Sequence, residues 1–124
     1  MKLEPVTAGA INVIAGSPVN VINDSPGGTI SGGGYSNSPN SLLSADYSAI
    51  GGGADNLISN AVGAVIAGGE GHRNFNQWRS FIGSGSGNQM GGTNRFTAGG
   101  SGDNAGNAII EAPSTSSGRI PGPV

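Results

Sequence analysis

A chain of 124 residues with 25 glycines, no cysteine and a formal net charge of −2 is about one domain long. Without cysteine there are no disulfides and no thiolate metal site. With only 10% charged residues and no basic run, there is no footprint for nucleic acid. Disorder generally requires a high net charge, which is missing, and isoleucine outnumbers leucine, a bias toward extended backbone because branching at Cβ suits strands.

Residues 1–8 read as a lead-in. The opening Met1-Lys2-Leu3-Glu4-Pro5 lacks the apolar run of a secretion signal, and no stretch has the length of a transmembrane helix, so no membrane insertion is expected. Residues 9–111 then repeat. Ile14, Ile30, Ile50, Ile66 and Ile82 each stand just before a small or glycine-rich run, and Thr97 in Thr-Ala-Gly-Gly continues the series. The steps are 16, 20, 16, 16 and 15 residues. Asn20, Asn37, Asn56, Asn74, Asn88 and Asn104 follow six to eight residues after each marker. A unit this short cannot bury an apolar face alone, so neighbours must stack. The pattern predicts an all-β fold, a parallel β-solenoid or β-roll of about six coils with a repeat of ~16 residues.

In that fold the six marker residues form the core stack at strand spacing, and the six asparagines take turn positions, where left-handed backbone is tolerated. Glycines serve sharp turns and close backbone approach. The long step from Ile30 to Ile50 holds Ser38-Pro39-Asn40-Ser41-Leu42-Leu43, read as a loop of about four extra residues bulging from one coil. The best helical stretch, Ala61 to Ala67, is broken by Gly63 and closed by Gly68-Gly69. Residues 112–124, rich in Pro, Ser and Gly, read as an extended tail. Neither end offers an obvious cap, which points to a section of something longer or to end-to-end docking.

The units from Asp46 to Asn56 (DYSAIGGGADN) and from Gly63 to Asn74 (GAVIAGGEGHRN) resemble the Y-A-T-V-G-G-G-x-x-N repeats of bacterial surface proteins and phage tail fibres. Leu3-Glu4-Pro5 followed by Asn12-Val13-Ile14-Ala15-Gly16 is similar to the L-E-P … N-V-I-G-G segment that introduces such arrays. The resemblance runs from residue 3 to residue 107 and extends in style to the heads of trimeric autotransporter adhesins. It implies a left-handed parallel β-roll in each chain, three chains about a common axis, and a shaft or head that carries binding or chaperone domains.

Chemistry-bearing residues are few. His72, the single histidine, lies in Glu70-Gly71-His72-Arg73 and reads as an exposed turn residue, not the centre of a triad. Asp46, Asp55, Glu70 and Asp103 are scattered carboxylates with no marked glycosidase pair. Gly99-Gly100-Ser101-Gly102-Asp103 is a poor, unrepeated match to a calcium-binding nonapeptide, and the dinucleotide-like glycines from Gly100 to Ala105 precede no helix. Asn23-Asp24-Ser25 is a formal glycosylation sequon. No cofactor, metal or catalytic residue is expected. The one concentration of side-chain character is Phe75, Trp78, Arg79 and Phe81 with His72 and Arg73. Within it His72, Arg73, Trp78 and Arg79 are the candidates for contact with a host-surface glycan; the alternative, and the favoured one, is that Phe75 and Phe81 fill a wider coil and Trp78 packs on a neighbouring chain.

These readings lead to a structural fibre or adhesin module, extracellular, on a cell surface or in a virion such as a phage tail. The expected assembly is a homotrimer, because one Gly-, Ala- and Ser-rich roll buries little apolar area against an ordering cost of about 1–2 kcal/mol per residue. The alternative is a filament subunit joined end to end. A monomeric solenoid bound to a regular surface such as ice fits poorly, since Thr29, Thr93 and Thr97 form no rank.

Overall fold

The structure, a computed structural model, describes residues 1–4, 9–76, 78–91, 96–97, 104–105 and 110–111, the last three pairs as backbone only. Described residues contain strands and turns but no helix, in keeping with the β-branched, glycine-punctuated sequence. The strands are β1 (Lys2–Glu4), β2 (Asn12–Ile14), β3 (Val21–Asn23), β4 (Thr29–Ile30), β5 (Ser41–Asp46), β6 (Ala49–Ile50) and β7 (Leu57–Val62). They continue with β8 (Val65–Ile66), β9 (Arg73–Phe75), β10 (Phe81–Ile82), β11 (Gln89–Gly91), β12 (Phe96–Thr97), β13 (Asn104–Ala105) and β14 (Ile110–Glu111).

From β2 onward successive strands alternate between two sheets. The first sheet has the order β1-β2-β4-β6-β8-β10-β12-β14 and the second β13-β11-β9-β7-β5-β3. All pairings from β2 onward are parallel, so the chain winds as a β-solenoid of about five turns. The six marker residues lie in six successive parallel strands of the first sheet, β2 to β12. The register of the first sheet runs Ile14, Ile30, Ile50, Ile66, Ile82 and Thr97, each beside the next.

The core lies between the sheets. Ile30, Ile50, Ile66 and Ile82 are fully buried and meet Leu42, Ile58 and Met90 from the second sheet. Each such side chain contributes about 1.5–3 kcal/mol by leaving water. Glycine is required where coils touch backbone to backbone. Gly33, Gly53 and Gly69 have φ of +72°, +83° and +98°, and a Cβ on any of them would overlap the glycine carbonyl of the next coil.

Two expectations about the chain need correction. The extra residues of the long step do not bulge at 38–43. A tight antiparallel turn between Tyr35 and Ser38 absorbs them, while Asn40 enters the interior and Ser41–Leu43 begin β5. The N-terminal end is also not bare, because part of the lead-in is a strand. β1 lies antiparallel on β2, with Leu3 opposite Val13, and covers the edge of the first sheet. Lys2 and Glu4 form an ion pair on this strand, and charge on an edge strand discourages further pairing. Among the described residues β3 is the edge strand of the second sheet, beside a cavity of about 610 Å³ bordered by Met1, Lys2, Ile14, Val21 and Ile22. The 112–124 tail, Thr93 and the Gly99–Asp103 segment lie outside the described residues.

Candidate functional site

Two features concentrate side-chain chemistry: a polar ladder inside one corner, and an exposed aromatic corner at the other end of the same strands. The ladder residue stands just before each strand of the second sheet: Asn20, Asn40, Asn56, His72 and Asn88, all buried. Each rung's side chain accepts the backbone N–H of the next rung. Asn20 Oδ1 accepts from Asn40 at 2.9 Å, Asn40 Oδ1 from Asn56 at 3.2 Å, Asn56 Oδ1 from His72 at 3.0 Å, and His72 Nδ1 from Asn88 at 3.1 Å. The amide nitrogens close the glycine turns. Asn56 Nδ2 donates to the carbonyls of Gly52 and Gly69, both at 3.0 Å. Buried backbone groups at this corner, which no strand pairing reaches, thus find partners at every coil.

This arrangement revises the expected turn asparagines. Asn37 lies exposed in the Tyr35–Ser38 turn and makes no rung. Asn74 sits in β9 between Ile58 and Met90, within the core rank. It is tolerated there because its Nδ2 donates to Ser80 Oγ at 2.9 Å and its Oδ1 accepts from the same hydroxyl at 3.1 Å. The backbone of Asn104 pairs with Gln89, not with rung Asn88. Asn20, Asn56 and Asn88 are buried rungs, each one residue before a strand, and none has the left-handed backbone expected of a turn asparagine. Strict sixteen-residue steps on either side of Asn56 lead to Asn40 and His72, which is the signal that marks the other two.

His72 is therefore not an exposed turn residue, since its side chain is wholly enclosed. Because Nδ1 accepts, the neutral ring carries its proton on Nε2. That atom is buried without a hydrogen-bond partner among the described residues. Burial lowers the imidazole pKa below its ordinary 6.5; backbone groups of Gly68, Asn88 and Gly85 oppose the shift, and the neighbouring Arg73 charge adds to it.

The four glycan-contact candidates do not form one patch. His72 is interior. Arg73 turns toward the previous coil, its Nη2 reaching both carboxylate oxygens of Asp55 at 3.0 and 2.9 Å, with a further bond from Nη1 to the Asp55 carbonyl. Trp78 and Arg79 lie beyond the other end of β9, both exposed, with Trp78 57% accessible. Trp78 bridges to Val62 of the coil before, and Arg79 holds left-handed backbone with φ of 52°. Tyr47, 61% accessible, occupies the matching corner two coils earlier.

Among the described residues no group of three His, Asp or Glu side chains could hold a metal ion, and no helix is long and apolar enough to cross a membrane. No family model, curated protein or solved structure matches the chain.

Proposed function

We propose that this chain is a structural module of an extracellular, cell-surface or virion fibre, a rigid shaft or head segment built as a homotrimer, with recognition of a host surface as an accessory role. The observation that carries the reading is the outer face of the first sheet. Val13, Thr29, Ala49, Val65 and Phe81 point outward there in unbroken register, are half-buried by their neighbours, and alternate with Ala15, Ser31, Gly51 and Ala67. None of these side chains is charged and apart from Phe81 they are small or β-branched, which lets a like face approach closely; the second sheet also turns apolar groups outward, Val21, Leu43, Leu57 and Phe75, but sets the charge of Arg73 among them. The repeat resemblance agrees with this reading, as does an interior built from repeated backbone and amide bonds, which favours rigidity over chemistry.

The chain has no cysteine, so one can be introduced as a probe. Ala67→Cys on the first sheet is expected to form interchain disulfides under mild oxidation, and Ser41→Cys on the second sheet is not. Equal crosslinking at both positions, or none at either, would reject the packing face.

The edge of the second sheet at β3 and its adjoining cavity support a second reading, a filament subunit joined end to end through that edge. The antiparallel β1 limits such a joint to the second sheet.

A further inference from the structure

We infer that a groove on the outside of the second sheet, one coil short of Trp78, is a binding site for a neutral glycan chain. This deepens the recognition role proposed above and rests on it, but its test is independent of the trimer. The groove has a volume of about 390 Å³ and runs across three coils near the corner where the chain leaves the second sheet. One wall is the rank Asp24, Ser44 and Asn60, and the other contains Asp46 and Val62. Ala61, whose side chain is buried, lies between the two walls.

The wall is built by backbone conformation. Asp24, Ser44 and Asn60 directly follow paired residues of adjacent strands or lie at equivalent places within them, and all three have left-handed backbone with φ of 47°, 50° and 51°. Left-handed backbone at a residue with a side chain is costly, and here it recurs at one position in three successive coils. Asn76 repeats it with φ of 53° in the coil that carries Trp78. The kink turns residue 45 or 61 inward and leaves polar groups on both sides of a furrow. Asp46 pairs with Val62, and Val62 bridges to Trp78, so the backbone of Trp78 runs one strand spacing, about 4.8 Å, beyond Val62 in the groove's lining, and its indole is exposed.

The lining chemistry selects the ligand. Asp24 and Asp46 are acceptors, Ser44 both donates and accepts, and the Asn60 amide accepts through its oxygen and donates through its nitrogen. The polar contact within the groove is a long one, Ser44 Oγ donating to Asp24 Oδ2 at 3.4 Å. Among the described residues the Asp46 carboxylate and the Asn60 amide make no side-chain bond, so they are available to hydroxyls. An exposed indole one coil beyond offers an apolar platform to the C–H face of a pyranose ring. The groove is shallow and extended, which suits a chain of rings. Two carboxylates with no cation among the lining residues disfavour uronic or sialic acids.

Trp78 is the single tryptophan, so its emission reports directly on this place. The full chain would be titrated with cellohexaose and chitohexaose as neutral probes, and with hexagalacturonate and hexalysine as acidic and basic ones. The inference predicts a saturable change in emission with a neutral hexamer, at least about tenfold weaker binding of the acidic one, and a similar loss in Asp46→Arg and Val62→Arg. Each variant is first checked for unchanged melting and native mass, and two are used so that one folding failure leaves the other. No response to either neutral hexamer at millimolar concentration, tighter binding of hexagalacturonate or hexalysine, or full affinity in a folded variant would overturn it. A trimer that fails to bind would remove this site and leave the shaft reading standing; a binding monomer would do the reverse.

Discussion

Replacing His72 by asparagine should stabilise the protein, although it shrinks a fully buried side chain. The rung at 56 shows what an asparagine does here: its Oδ1 accepts the next rung's N–H and its Nδ2 reaches two glycine carbonyls at 3.0 Å. Sixteen residues on, those carbonyls belong to Gly68 and Gly85. The imidazole keeps the first bond through Nδ1, while its Nε2 lies near the backbone of Gly68 and Gly85 without a well-formed hydrogen bond to either. Removing a poorly bonded buried donor relieves about 1–3 kcal/mol, and the lost volume costs about 1 kcal/mol, so the net gain is about 1 kcal/mol. In a domain of this size that raises the melting temperature by about 4 °C.

The comparison also has a pH signature. The folded ring titrates below its ordinary value of 6.5, so the unfolded chain takes up the proton first as pH falls. Above 6.5 the group is neutral in both states and adds no pH dependence. Between 6.5 and the lower folded value stability declines with falling pH, by at most about 1.4 kcal/mol per unit. Asp55 offsets the neighbouring charge on Arg73, and the side chains that meet the ring from the adjacent coils, Asn56 and Asn88, do not titrate. Denaturant melts of wild type and His72→Asn at pH 7.5 and pH 5 should therefore diverge on the acid side. A variant less stable at pH 7.5, or a gap that does not change with pH, would refute the reasoning.

Gly53→Ala should lower stability by more than about 3 kcal/mol or prevent folding, since the new Cβ meets the Gly69 carbonyl at φ +83°; a melt equal to wild type would contradict the close stacking. Ser80→Ala removes both bonds to the Asn74 amide and should cost about 1–3 kcal/mol in denaturant unfolding, while Ser80→Ala combined with Asn74→Leu should recover much of it.

The legible part of the fold was whatever repeats with unchanged spacing. An isoleucine before a glycine run marks the same inward place in every coil, because the glycines that follow are held by contact with the next coil's backbone. Function at the ladder was less legible because side chains of different shape serve one geometry: an imidazole Nδ1 stands in for an amide oxygen at His72, which reads as a polar turn residue in isolation. The four-residue insertion at Tyr35–Ser38 displaced the count onto Asn37 and hid Asn40. Strand β1 escaped notice because three residues carry no periodicity, and its place is set by the edge it covers. The kinked groove was hidden for a related reason. Left-handed backbone at Asp24, Ser44 and Asn60 is marked by no glycine, and Asp and Asn, which tolerate it, are common in ordinary turns as well.

The native mass in solution, by light scattering after size exclusion, tests the fibre-module account most directly. The account predicts three times the chain's 12.0 kDa. A mass of one chain would contradict it, and a regular polymer too large for the column would replace the trimer with the end-to-end filament.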